Sequence, residues 1–129
     1  MRVLLPSALL FLSADISAQE QQQDKPKTPV EIAQEQSDKL QIELKLNNKQ
    51  LFQVDSVLQA NLTGVNDEFE KMKKGGRLTN EAYIQVRDDW QLKTEEAFKK
   101  ILTEEQFKKY MIYIGKMDKK GRMKTIPKY

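Results

Sequence analysis

The chain has 129 residues, of which 22 are Lys or Arg and 19 are Asp or Glu, so its formal net charge at pH 7 is +3. It contains neither cysteine nor histidine. This excludes disulfides, thiol nucleophiles, thiolate metal sites and imidazole bases or zinc ligands. A chain of this length accommodates one small domain.

Residues 1–18 have the pattern of a secretory signal peptide. Arg2 precedes the apolar run VLLPSALLFLSA, which is too short to span a bilayer comfortably, and Ala18 suits the position before a cut. The polar stretch QEQQQDKPKTP follows at once, which argues against the alternative of a buried N-terminal helix. We predict cleavage after Ala18 and an exported, soluble mature chain that is not an integral membrane protein.

The next segment, residues 19–28, is polar and Gln-rich and predicts a flexible arm. Thr28 and Pro29 are typical of a cap and a first helical position. Apolar residues then recur at three- and four-residue steps, which predicts a first helix over residues 29–45.

The second helix is the longest in the prediction. Its apolar residues recur in heptad-like steps from Leu51 to Met72, and Gly75 and Gly76 end it. Gly64 lies inside this stripe, where glycine costs about 1 kcal/mol relative to alanine. We therefore expect a bend or a close helix crossing at Gly64.

Two further helices are predicted, one from about Thr79 to Leu102 and one from about Glu104 to Gly115. No alternating strand pattern of useful length is present. The sequence thus predicts an all-α fold of four helices, in a domain that spans residues 29–117.

Two pentapeptides, LNNKQ at residues 46–50 and LTEEQ at residues 102–106, share a pattern that predicts a helix start. The second residue of each can cap the helix with its side-chain oxygen, and the glutamine three residues later can bond to the cap's own N–H. The leucine before each cap can close a hydrophobic staple. An incomplete version, LTNEAY, lacks the glutamine. The predicted capping residues are Leu46, Asn47, Gln50, Leu102, Thr103 and Gln106.

The pairing of these motifs in an exported helical chain resembles the periplasmic LTXXQ-motif family, which is Spy/CpxP-like. LTEEQ matches the family motif fully and LNNKQ has Asn in place of Thr; the resemblance covers roughly residues 30–117. It implies a periplasmic protein of the stress response, built from bent helical hairpins that form an antiparallel, cradle-shaped homodimer. The basic C-terminal segment has no counterpart that maps onto the family.

The resemblance also implies a function. It predicts an ATP-independent chaperone or envelope-stress protein that binds unfolded or partly folded envelope proteins. The alternative is a regulatory adaptor that binds one folded partner, such as a sensor kinase domain. Some relatives bind zinc through histidine-rich ends, which this chain lacks, so neither a metal nor a cofactor is expected.

An enzyme has no supporting residue set, because the paired carboxylates are adjacent on helices and no histidine can activate a serine. Lys and Arg beside Met would instead give weak, adaptable contacts to clients. The candidate client-binding residues are Lys71, Met72, Lys73, Lys74, Arg77 and Met111, although residues of these types at such positions are more often ordinary core or surface residues.

The basic excess lies at one end of the chain. Residues 116–129 carry a side-chain net charge of +5, and we predict a basic tail over residues 118–129. Such a tail is either solvated or attracts acidic partners or anionic lipid. Nucleic acid is not an expected partner, because aromatic residues are not interleaved with the cations. A short bacterial O-glycosylation signal, DSV, leaves modification of Ser56 open.

Overall fold

The computed structural model describes residues 25–125. Within this range the chain forms four α-helices and no β-strand, which confirms the all-α prediction. The predicted signal peptide, residues 1–18, lies outside the described residues. So do residues 19–24 of the predicted arm and the last four residues of the predicted tail.

The helix bounds agree closely with the prediction. The four helices are α1 (Pro29–Leu44), α2 (Asn48–Lys74), α3 (Asn80–Ile101) and α4 (Glu104–Tyr113). The fourth ends two residues earlier than predicted, because the backbone leaves the helix at Ile114 and Gly115, whose φ is 82°.

Local capping explains where the helices begin. Thr28 caps α1 and forms a reciprocal box with Glu31, at 3.2 Å for Glu31 N to Thr28 Oγ1 and 3.0 Å for the return bond. Thr79 caps α3 by accepting from the backbone N–H of Ala82 at 3.1 Å. Alanine has no side-chain acceptor, so this third cap lacks the reciprocal bond.

The helices pack in a chain of neighbours. α1 lies along α2, α2 lies along α3, and α4 contacts both α1 and α3. The core therefore lies at the end of the molecule where α1 and α4 cover the two long helices. Its members are buried apolar side chains from all four helices and the two motif leucines: Ala33, Leu40, Leu44, Leu46, Val54, Leu58, Phe98, Leu102, Tyr110 and Met111.

The other end of the α2–α3 pair projects beyond this core, and we call it the hairpin tip, residues 71–79. Val86 is the buried hydrophobic residue of the pair closest to the tip among the described residues, at 8% exposure. A stacked pair of rings, Phe69 and Tyr83 with centroids 4.4 Å apart, joins the two helices there. Packing along the pair thus weakens toward the tip.

Gly64 marks a close crossing of α2 and α3. A Cβ placed on Gly64 would lie 2.2 Å from two carbons of the Trp90 indole, so only glycine leaves room for the ring. The indole N–H donates to Glu68 at 3.1 Å. Asn61 donates to the Trp90 carbonyl at 3.0 Å and to the Thr94 hydroxyl at 2.6 Å. These contacts confirm the close-crossing alternative and fix the register of the two helices.

The predicted basic tail is folded as far as it is described. Residues 116–124, which we call the C-terminal hairpin, turn back through an antiparallel bridge between Met117 and Met123. Lys124 N–H also bonds to the Lys116 carbonyl at 3.0 Å. A single bridge and a turn are enough to close this hairpin. It therefore needs no alternating strand pattern that the sequence could reveal.

Candidate functional site

The two pentapeptide motifs form complete capping boxes. Asn47 Oδ1 accepts from Gln50 N–H at 2.8 Å, and Gln50 Oε1 accepts from Asn47 N–H at 3.1 Å. In the second motif the corresponding Thr103–Gln106 distances are 3.2 and 3.0 Å. Leu46 and Leu102, which precede the caps, are both buried in the core. The motifs therefore start α2 and α4 as their sequences predict.

The same two glutamines also bind each other. Gln50 Nε2 donates to Gln106 Oε1 at 2.8 Å, and Gln106 Nε2 donates to Gln50 Oε1 at 3.2 Å. Each Nε2 donates further to the end of the helix before the other motif, Gln50 to the Ile101 carbonyl and Gln106 to the Leu44 carbonyl, both at 3.2 Å. Each glutamine amide thus forms hydrogen bonds with the start of its own helix, with the end of another helix and with the other glutamine.

This junction is structural rather than chemical. Among the described residues, no buried side-chain nitrogen or oxygen lacks a hydrogen-bond partner. A fully bonded amide pair offers neither a free base nor a free nucleophile. Its role is to hold the α1–α2 connection against the α3–α4 connection. Capping was predictable from the spacing within each motif, whereas the pairing of the motifs depends on how the hairpins pack.

An open groove lies on the surface of the described part of the chain. Its volume is about 680 Å³, and all four helices contribute to it. Its apolar members include Ile84, which is 50% exposed, and Tyr113, which is 49% exposed. Lys39 and Arg87 add positive charge beside them. The full lining is Gln36, Lys39, Leu40, Leu58, Asn61, Leu62, Val65, Ile84, Arg87, Asp88, Gln91, Thr94, Tyr110, Tyr113 and Ile114.

Tyr110 lies where the groove meets the core. Its ring packs edge-on against Phe98 with centroids 4.8 Å apart, and its hydroxyl accepts from Gln91 Nε2 at 3.0 Å. Burial raises the pKa of the Tyr110 phenol above its usual value. The hydrogen bond from Gln91 opposes this shift, and the charge of Glu95 adds to it. The phenol is therefore a neutral part of the groove wall at pH 7.

The predicted client-binding residues fall in two places. Lys71, Lys73, Lys74 and Arg77 are exposed at the hairpin tip, and Met72 is partly buried there. None of these four cations has a carboxylate within 4.0 Å among residues 25–125.

Met111 does not belong to a surface. It is 4% exposed and packs in the core, so its assignment to a client-facing position is wrong for this protomer. The periodicity that places Met111 beside Phe107 and Ile114 marks the inward face of α4.

None of the six predicted residues lines the groove. Sequence reasoning missed Ile84, Arg87 and Tyr113 as surface candidates. The sequence signal for these residues was weak. Each of the three lies beside the apolar stripe of its helix, where a side chain can be either partly buried at the edge of the core or exposed to solvent. Only the positions of neighbouring helices decide between these outcomes.

No helix within residues 25–125 is both long and apolar enough to cross a membrane. In the same range, no group of three or more acidic side chains is placed to hold a metal ion. Comparison of the chain with protein-family models, curated proteins and solved structures found no match.

Proposed function

We propose that the protein is a periplasmic, ATP-independent chaperone of the LTXXQ type that binds unfolded or partly folded proteins. The open groove carries this proposal. Its half-exposed apolar side chains, Ile84 and Tyr113, lie beside the cations Lys39 and Arg87. Mixed surfaces of this kind make weak contacts with many sequences, because no single pocket selects one side chain.

The hairpin tip extends the proposed surface. Its unpaired cations, Lys71, Lys73, Lys74 and Arg77, flank Leu78, which is 41% exposed. Positive charge attracts acidic segments of an unfolded chain before apolar contacts form. A client would thus meet a charged tip and an apolar groove along the same pair of helices.

The proposed working form is an antiparallel, cradle-shaped homodimer. Its support is the amount of apolar surface that one protomer leaves exposed. Ile42 and Phe52 are 78% and 74% exposed, and Leu92 is 55% exposed. A second subunit packed on these side chains would remove their apolar surface from water.

The test is suppression of aggregation of an unfolding client, such as reduced α-lactalbumin, at stoichiometric ratio without ATP. We expect the unaltered protein to suppress light scattering, and a double variant with Ile84→Ser and Tyr113→Ser to lose most of that effect. A matched control with Val30→Ser and Met123→Ser removes apolar side chains of similar exposure, 55% and 62%, that belong neither to the groove nor to the proposed dimer surface. If only this control lost suppression of aggregation, the client-binding surface would lie outside the groove and the proposal would be wrong.

The alternative of a regulatory adaptor makes a different prediction. An adaptor would bind one folded partner, such as a sensor kinase domain, saturably and with little effect on general aggregation. A pull-down from envelope extract with the groove variant and its control as baits separates the two cases. One stoichiometric partner, together with no suppression of aggregation, would replace the chaperone proposal.

A further inference from the structure

We propose that the C-terminal hairpin, residues 116–124, binds the surface of an anionic phospholipid bilayer. None of its residues lines the groove, so this surface is separate from the proposed client site. The hairpin carries five basic residues and one acidic residue. Its order, its fixed attachment and its unpaired cations argue for a defined binding surface.

The turn of the hairpin is held by its single carboxylate. Asp118 Oδ1 accepts from the backbone N–H of Lys120 at 3.0 Å and of Arg122 at 2.8 Å, and Oδ2 accepts from Arg122 Nε at 2.8 Å. Bonds from Arg122 are the main reason that the pKa of Asp118 lies below its usual value. The only acid in the hairpin is thus engaged inside the turn, and among the described residues its ion-pair partner within 4.0 Å is Arg122 rather than an outer lysine.

Two contacts fix the hairpin to the helices. Lys116 Nζ lies 2.7 Å from the Glu95 carboxylate of α3, in a pair where the Glu95 side chain is 9% exposed. Gly121 has φ 81°, and a Cβ there would lie 2.6 Å from Lys108 Cε. The Lys108 side chain therefore lies across Gly121 and brings its ammonium group to the hairpin surface.

The cations that remain are free to bind. Lys108, Lys119, Lys120 and Lys124 are exposed, and none has a carboxylate within 4.0 Å among the described residues. Each Lys near an anionic lipid surface adds about fivefold to the affinity. A rigid turn presents these charges together, without the ordering entropy that a free tail would lose on binding.

An exposed methionine favours lipid over an acidic polypeptide. Met123 is 62% exposed and lies among these lysines. An apolar side chain surrounded by cations suits the bilayer interface, where the cations contact headgroups and the apolar group enters the acyl boundary. Acidic peptides would match the charges but leave Met123 in water.

The test is co-sedimentation of the full chain with vesicles of phosphatidylcholine alone or with 30 mole per cent phosphatidylglycerol. We expect binding to the anionic vesicles only, with an affinity that falls as salt rises. A triple variant with Lys119→Ser, Lys120→Ser and Lys124→Ser should bind about a hundredfold more weakly. The variant Met123→Ser keeps the charge and should bind about tenfold more weakly.

The matched control removes the same charge elsewhere, through Lys71→Ser, Lys73→Ser and Lys74→Ser. These lysines precede the tip turn, and Asn80, which follows that turn, lies about 22 Å along α3 from Glu95. We expect this control to keep vesicle binding. Equal losses in the two triple variants would mean that net charge alone drives binding and would overturn the proposal.

Two other outcomes would also overturn it. One is a Met123→Ser protein that binds as well as the unaltered chain. The other is soluble polyglutamate that binds as tightly as vesicles at equal anionic charge, which would assign the hairpin to an acidic polypeptide. Because the aggregation assay contains no lipid, a failure here is distinguishable from a failure of the chaperone proposal.

Discussion

The side-chain amides of Gln50 and Gln106 bond to each other in both directions, at 2.8 and 3.2 Å, although 56 positions separate them in the chain. The pair joins the α1–α2 corner to the α3–α4 corner. Its members are also the reciprocal partners of two capping boxes. A motif that is local in sequence thus contributes a long-range contact, and this makes its loss more costly than the loss of an isolated cap.

We expect Gln50→Ala and Gln106→Ala each to lower the free energy of unfolding by about 1–2 kcal/mol, because each leaves partly buried polar partners without a hydrogen bond. The double variant should lose less than the sum of the single losses, since either change breaks the same pair. Urea unfolding monitored by circular dichroism measures all three values. Additive losses would show that the glutamines act only as separate caps.

Thr103→Ala serves as the control for this cycle. It removes the capping oxygen, which contributes about 0.5–2 kcal/mol, but leaves the Gln50–Gln106 contact in place. The proposed client binding should persist in every variant under conditions where the protein stays folded, because neither glutamine lines the groove. Unchanged stability with lost binding would contradict the structural role.

Gly64→Ala should destabilise the protein although alanine favours helices by about 1 kcal/mol. The new methyl group would overlap the Trp90 indole, and overpacking of this kind costs about 1–3 kcal/mol. Trp90 is the only tryptophan, so its fluorescence reports directly on the displaced ring. In a Trp90→Ala background the same substitution should become neutral or stabilising; a persistent penalty would point to another cause.

Lys116→Met should cost stability because it leaves the Glu95 carboxylate, at 9% exposure, without its partner. We expect a loss of about 1–3 kcal/mol, less than for a fully buried pair, since the Lys116 side chain is 24% exposed. Adding Glu95→Gln should recover part of it. Thermal unfolding of the single and double variants checks this, and failure of the second change to help would contradict the ion-pair explanation.

Alkaline pH should weaken the fold through Tyr110. Its folded pKa is raised, so its contribution to stability is full below the unfolded value of about 10 and is lost as pH rises through the folded value. Absorbance at 295 nm should show one phenol that ionises above the usual range of tyrosine. Tyr110→Phe should remove that late component and flatten the alkaline loss of stability; an unchanged profile would assign it to another group.

Much of the fold was predictable because its signals are local. Thr103 and Gln106 indicate a helix start within five residues, and Gly64 inside an apolar stripe indicates either a bend or a close crossing. The groove was not predictable in the same way, because it depends on where α1 and α4 lie against the long helices. Met111 is an example. Periodicity places this residue on the apolar face of its helix, but it does not tell whether the other helices of the same chain cover that face.

The C-terminal hairpin escaped prediction for a related reason. Its charge pattern is that of a solvated tail, and a single Asp among lysines gives little indication of order. The bonds of Asp118 to Lys120 and Arg122, and the pair of Lys116 with Glu95, become visible only when the chain is folded.

The position of the core has a consequence for how the chain could be divided. The turn at Gly75 and Gly76 is exposed and distant from the core, and each side of it holds one motif with two helices. Cleavage there would cut no core contact and would leave the Gln50–Gln106 bonds to join the two pieces. The two helical hairpins, one on each side of the turn, are thus complementary parts of a single core. We expect that the two halves, produced as separate polypeptides, reassociate into the native form.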